Sequence, residues 1–180
     1  MGNLRSPLMV SASTVVEFAH VVFGMMWVGV SIYVEAVLAP LLKETRTVGA
    51  FRGFLPLFGR TSLFQTVSGF FVLLTGIVYM LLHYWPLETL VAPIPGVAVV
   101  PGVLVLLSLG LVLVALGVGT AFLKPTAMRV AKFPFPADPG APIPEPVQGL
   151  VRTLLRGASV NMAIVVVVLL LMVIAATGGV

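Results

Sequence analysis

Two histidines, His20 and His83, are the side chains in this sequence best suited to hold a metal, and both lie in or at the rim of long apolar runs. An ionisable group at membrane depth is a functional candidate by default, and imidazole is a natural ligand for haem iron. The two histidines can be read as a pair of axial ligands. His20 can equally act alone, with Met80, or with a ligand from outside the chain. A copper site would prefer more histidines, with methionine help, although Met25, Met26 and Met80 lie in the same half of the chain's helices. There is no cysteine, which removes disulfides, thiolate metal sites and iron–sulfur ligation by this chain. Purely structural readings stand beside these. A membrane histidine can simply bond across a helix interface, a contact that averages under about 1 kcal/mol. His83-Tyr84-Trp85 is also ordinary composition for a helix end at a membrane surface.

The residues around His20 are ordered. Glu17, His20, Gly24, Trp27, Ser31 and Glu35 follow one another in steps of three or four, which lines them along one helical face. A second stripe runs through Thr61, Gln65, Ser68, Thr75, Tyr79 and His83, with Gly69 and Gly76 alongside. Lipid would leave such groups unpaired, so the two stripes are expected to face each other or something held between them. Gln65, Ser68 and Tyr79 are the residues of the second stripe placed to tune a cofactor, and Trp27 is a contact for it or a packing residue. Glu35 is placed to pair with Arg60 or Lys43.

The elements that must position these residues are membrane spans. Apolar residues make up 59% of the chain and charged residues 9%, against roughly a quarter charged in soluble domains, so most of the surface cannot face water. Four stretches are long enough to cross a bilayer, which takes about 20 apolar residues. They run over about 13–39, ending at Pro40, then 61–83, 97–123 and 157–178. Continuous apolar runs without alternation predict helices and exclude a β-barrel. The expected fold is all-α: a single polytopic membrane domain over 1–180, a four-helix bundle running up-down-up-down. Met1–Val10 has no basic start, apolar core and cleavage site, so the first helix is expected to be retained.

Nine of the ten Lys and Arg residues lie in two connections: Lys43, Arg46, Arg52 and Arg60 in one, Lys124, Arg129, Lys132, Arg152 and Arg156 in the other. Only Arg5 lies on the opposite side. By the positive-inside rule the nine are cytoplasmic and both termini are outside, in a multi-pass protein of the cell membrane. His20, seven residues into its helix and about 10 Å deep at 1.5 Å per residue, then falls in the outer half, and His83 at its rim. The net charge of +4 sits beside apolar runs and forms no nucleic-acid patch. Arg152 and Arg156, one turn apart, suit lipid phosphates or, less readily, haem propionates. The segment 133–146 holds six prolines, which forbid helix and favour an extended path. It is a stiff spacer or a docking strap for a partner subunit. The apolar outer loop 91–96 is similarly stiff and suits the membrane surface.

Phe18-Ala19-His20, then Trp27-Val28-Gly29 and Tyr33 resemble the first helix of a membrane group that includes HemJ-type protoporphyrinogen oxidases and CopD-like proteins. The resemblance covers about 15–41. It implies a small helical bundle in which His20 ligates haem b and Trp27 and Tyr33 line its helix face. HemJ-type enzymes also carry an Arg, then Asn-Glu and Pro, entering a late helix. Here Arg156 and Asn161 are five apart and no Glu or Pro follows. The expected function is a haem-b membrane protein of electron transfer, alone or as a subunit of a redox assembly. The alternatives are a haem-dependent protoporphyrinogen oxidase and a cofactor-free accessory subunit or small transporter. The expected partners are the lipid bilayer and either partner subunits or further copies of the chain. Gly110 and Gly117 are positioned for close helix packing within or between chains.

Overall fold

A computed structural model describes residues 11–83 and 101–177. Arg5, the outer loop 91–96 and the first residues of the third expected span lie outside the described residues. The described chain forms four long helices: α1 (Ala12–Glu44), α2 (Val48–His83), α3 (Pro101–Ala131) and α4 (Glu145–Ala176). All four are long and apolar enough to cross a membrane, and the described residues contain no strand beyond an isolated bridge between Thr47 and Pro142. The protein is an all-α, multi-pass membrane bundle. α1 pairs along α2 and α3 along α4, and the two pairs meet through α1 with α4 and α2 with α3. Large apolar side chains such as Phe18, Met25, Leu63, Leu170 and Val173 point outward, as a surface bathed in lipid requires.

The helices are longer than the expected spans. At 31–36 residues they reach about 46–54 Å, against about 30 Å of hydrocarbon. The excess lies at the end carrying the nine basic residues, called here the basic end. α1 continues past Pro40 to Glu44, and α3 past Leu123 to Ala131. The reason is the same in both: a π-helical turn, Val34–Leu38 in α1 and Val118–Leu123 in α3, directly precedes the proline-bearing turn. Proline lacks an N–H and its ring crowds the preceding turn, and the wider turn absorbs both defects. α2 starts at Val48 and α4 at Glu145, each about three turns before the lipid-soluble run, and Pro56 is tolerated inside α2. The connections carrying the basic residues are therefore largely helix.

These extensions bury a second core. Phe51, Leu42, Val130, Val147, Val151 and Leu154 pack together at the basic end, separately from a membrane-level core of Trp27, Val72, Val112, Ala115, Val165 and Val168. The proline-rich segment neither spans nor projects. It folds back on the start of α2, where the free backbone N–H groups of Val48 and Gly49 donate to Ala141 O and Pro139 O, both at 2.9 Å. It thereby caps the first two N–H groups of the helix, beside the Ala50 N–H that Thr47 Oγ1 accepts at 3.5 Å. Arg52 Nη2 donates to Phe135 O at 3.4 Å, and its guanidinium lies 5.5 Å from the Phe135 ring centroid. Glu145 and Pro146, expected in the segment, begin α4 instead, with proline in the first turn where its missing N–H costs nothing. A Cβ at Gly49 would stand 2.9 Å from Pro139 Cβ and 3.1 Å from its carbonyl oxygen. Gly49→Ala is expected to destabilise the protein by about 1–3 kcal/mol, read as a lowered thermal midpoint in detergent. An unchanged midpoint would mean that the strap is not seated on α2.

Candidate functional site

The two polar stripes meet. His20 Nδ1 lies 3.1 Å from Val72 O and 3.1 Å from Thr75 Oγ1. About one turn deeper, Phe23 and Phe71 stack at 4.6 Å. Below them Trp27 is buried against Gly69, and Gln65 Nε2 donates to Ser31 Oγ at 3.0 Å. The fit depends on two glycines of α2. A Cβ at Gly76 would come within 3.0 Å of His20 Cε1, and one at Gly69 within 3.0 Å of Trp27 Nε1 and Leu116 Cδ2. The glycines thus leave the volume into which the two rings of α1 fit. Gly110 and Gly117 do not serve this purpose among the described residues: a Cβ on either would meet none of them within 4 Å.

The hydrogen bonds fix the state of the imidazole. A carbonyl oxygen only accepts, so the contact with Val72 O places the proton on Nδ1. Thr75 Oγ1 donates to Phe71 O at 2.6 Å and offers a lone pair to the same N–H. The neutral ring then keeps its lone pair on Nε2, for which there is no hydrogen-bond partner among the described residues. An imidazole with Nδ1–H given to a backbone carbonyl and a bare Nε2 is the form that ligates metals. The half-buried ring leaves that nitrogen approachable. The ring is therefore in the tautomer that a single metal ligand uses.

His83 does not join it. Its ring is exposed, stacks on Tyr79 of its own helix at 4.0 Å, and its Nδ1 bonds Tyr79 O at 3.1 Å. It lies two turns beyond Gly76, which His20 touches, or about 10 Å along α2. The axial pair that the sequence allows is thus not brought together among the described residues. Met80, one turn beyond Gly76, is half-buried. Glu17 faces outward in spite of its place in the stripe, and Tyr33 is exposed, off the His20 face. Glu35 lies in the π turn with Oε1 buried and unpartnered; it forms no ion pair with Arg60 or Lys43. No group of three or more His, Asp or Glu able to hold a metal occurs among the described residues.

Toward the basic end a cavity of about 90 Å³ opens between the helices, lined by Trp27, Gln65, Thr61, Thr66, Thr120 and Asn161 among others. Asn161 is 3% exposed and its Oδ1 has no partner. This residue belongs to no polar stripe because it stands alone, yet it is the one amide in the aliphatic run 157–178, and an isolated amide at that depth is a signal in itself. His20 lines neither this cavity nor its neighbour. Comparison with known proteins adds no relative: no family model, no curated protein and no solved structure matches the chain.

Proposed function

We propose that this protein binds haem b in the membrane and carries electrons, with His20 as the ligand from the chain. The observation that supports the reading is the pinned imidazole: Val72 O accepts from Nδ1–H, and the lone pair on Nε2 is left free for a metal. Haem, when bound, supplies one-electron iron chemistry, and the protein's part is to hold and tune it. Thr75 and Val72 set the ring's orientation, Gly76 leaves room for it, and the Phe23–Phe71 stack and Trp27 hold α1 against α2 beneath it. Met80, one turn beyond Gly76 on α2, is a candidate for a second ligand; otherwise the second bond goes to a partner or to no protein group. Haem-dependent oxidation of a porphyrin precursor has only the first-helix resemblance behind it.

One observation favours a second reading, a cofactor-free subunit: the bonds to Val72 O and Thr75 Oγ1 satisfy one side of the histidine without any metal. An absorption spectrum of the protein, expressed with ample haem and purified in detergent, separates the two. A Soret band with α and β bands sharpening on reduction is expected. A folded, colourless protein would leave the cofactor-free reading.

The same proposal places the basic end in the cytoplasm and the His20 end outside, on the positive-inside rule. The chain has no cysteine, so single cysteines report the topology. Ala12→Cys should react with a membrane-impermeant maleimide in intact cells, and Ala137→Cys, in the exposed strap, only after lysis. The reverse pattern would invert the orientation.

A further inference from the structure

The cavity at the basic end of the membrane core is unlike the His20 site. Its polar rim brings acceptors from several helices together with the Asn161 and Gln65 amide N–H groups and the Ser62 hydroxyl. The hydroxyl protons of Thr61, Thr66 and Thr120 go to Leu57 O, Ser62 O and Leu116 O within their own helices, at 2.7–2.8 Å. The oxygens that remain can only accept. Ser31 donates to Trp27 O at 2.9 Å, so it must receive the Gln65 N–H, and Gln65 Oε1 is left without a partner among the described residues. Asn161 is 3% exposed and its Oδ1 is unpartnered. A buried amide oxygen with no hydrogen bond is costly; Asn161 Oδ1 is itself enclosed, and a turn of the amide would bring it to a donor in the cavity. No Lys, Arg, Asp or Glu lines it.

The cavity also has a door. A second void of about 260 Å³ shares Phe58, Ser62, Thr66, Ala127 and Leu154 with the first. Together they reach the lower end of the roughly 300–1,000 Å³ typical of small-molecule sites. The second void is lined by Leu63 and Met128, which are 67% and 48% exposed on the outer surface of the bundle. Lys124 at its edge marks the depth of the headgroups. The opening therefore straddles the bilayer surface, with Leu63 on its hydrocarbon side and Met128 one turn past Lys124. A ligand reaching Asn161 by this route arrives from the bilayer with an apolar tail and presents O–H groups to acceptors beside the aromatic rings of Trp27 and Phe58.

From this we infer that the paired cavities bind a lipid-soluble quinol, its hydroxyls donating to Asn161 Oδ1 and Gln65 Oε1 and its tail leaving between α2 and α3 beside Leu63 and Met128. The two π-helical turns support the placement. Val34 of one, and Gly119, Thr120 and Leu123 of the other, line the cavity, and such turns recur at functional sites. The inference is independent of the haem reading, because His20 lines neither void.

The test is anaerobic calorimetric titration of the full-length protein in detergent, without added haem, with a decyl-substituted 1,4-benzoquinol. Its O-methylated diether, which lacks both O–H groups, is the paired probe. Saturable binding of one quinol per chain is expected, with the diether at least about tenfold weaker, the weight of one lost hydrogen bond. Asn161→Leu, which fills the amide's place, should weaken quinol binding by a similar factor. Gln65→Leu is a second variant if the first fails to fold. No saturable binding, equal binding of quinol and diether, or quinol affinity unchanged in a folded Asn161→Leu protein would each overturn the inference. So would saturable binding of sodium ion alone, which would make the acceptors a cation site.

Discussion

His20→Ala is expected to abolish the haem absorption bands while leaving a folded bundle. The two outcomes separate because the energies differ in kind. The histidine's structural contribution is one N–H shared between Val72 O and Thr75 Oγ1, and side-chain hydrogen bonds between membrane helices average about 0.6 kcal/mol. The interface keeps the Phe23–Phe71 stack and the buried Trp27. Its loss should lower the thermal midpoint only slightly. An axial bond, by contrast, is lost outright when its only protein donor goes. His83→Ala is the matched control: its ring is exposed and bonded within its own helix, so the spectrum should not change. Thr75→Val keeps the Val72 carbonyl and removes the hydroxyl, and should retain haem with an altered potential. A full spectrum in His20→Ala, or its loss in His83→Ala, would move the ligand elsewhere and sink the assignment.

Gly69→Leu is expected to be the most damaging single substitution in the α1–α2 interface. Gly69 is buried, and its Cβ alone would stand 3.0 Å from both Trp27 Nε1 and Leu116 Cδ2, contacts that must shift. Trp27 is 2% exposed in the membrane-level core with Val72 and Ala115, so its ring can yield only toward the small cavity that it lines. The rest of the leucine side chain must then push α1 and α3 away from α2. Overpacking a filled core typically costs about 1–3 kcal/mol, and the value here should lie at the upper end, because the wedge acts on two helix pairs at once. Gly110→Leu, with open space around its Cβ, should be nearly neutral. The check is the thermal midpoint of each variant in the same detergent. A Gly69→Leu protein as stable as the parent would mean that α1 and α2 do not approach as described.

Much of this fold is legible in the amino-acid sequence. Four apolar runs, too long and too poor in charge for a soluble core, require membrane helices because lipid offers the backbone no other partner. The two polar stripes do meet at His20–Thr75 and Ser31–Gln65, for the same reason. Hydropathy misplaces the helix ends at the basic side because it reports where lipid stops, not where a helix stops. A second signal marks the true ends. Phe51, Phe54, Leu55 and Phe58, and likewise Val147, Val151, Leu154 and Leu155, recur at helical spacing. That spacing belongs to amphipathic turns that build their own core at the basic end. Proline misleads in the same way, since a break at Pro40 is the rule for a regular helix and the π turn before it is a tertiary accommodation.

The sequence alone determined the class of the protein, its four spans and the pairing of its first two helices, because burial of polar groups away from lipid is a property of spacing. It also singled out His20. It could not decide which atoms His20 would meet, since Val72 contributes only its carbonyl and any residue has one. Nor could it show that His83 turns back on Tyr79, or that Asn161 would close a cavity whose acceptors come from several helices. Those depend on the register in which helices distant along the chain pack, and that register is set by the glycines and aromatic rings at the contacts.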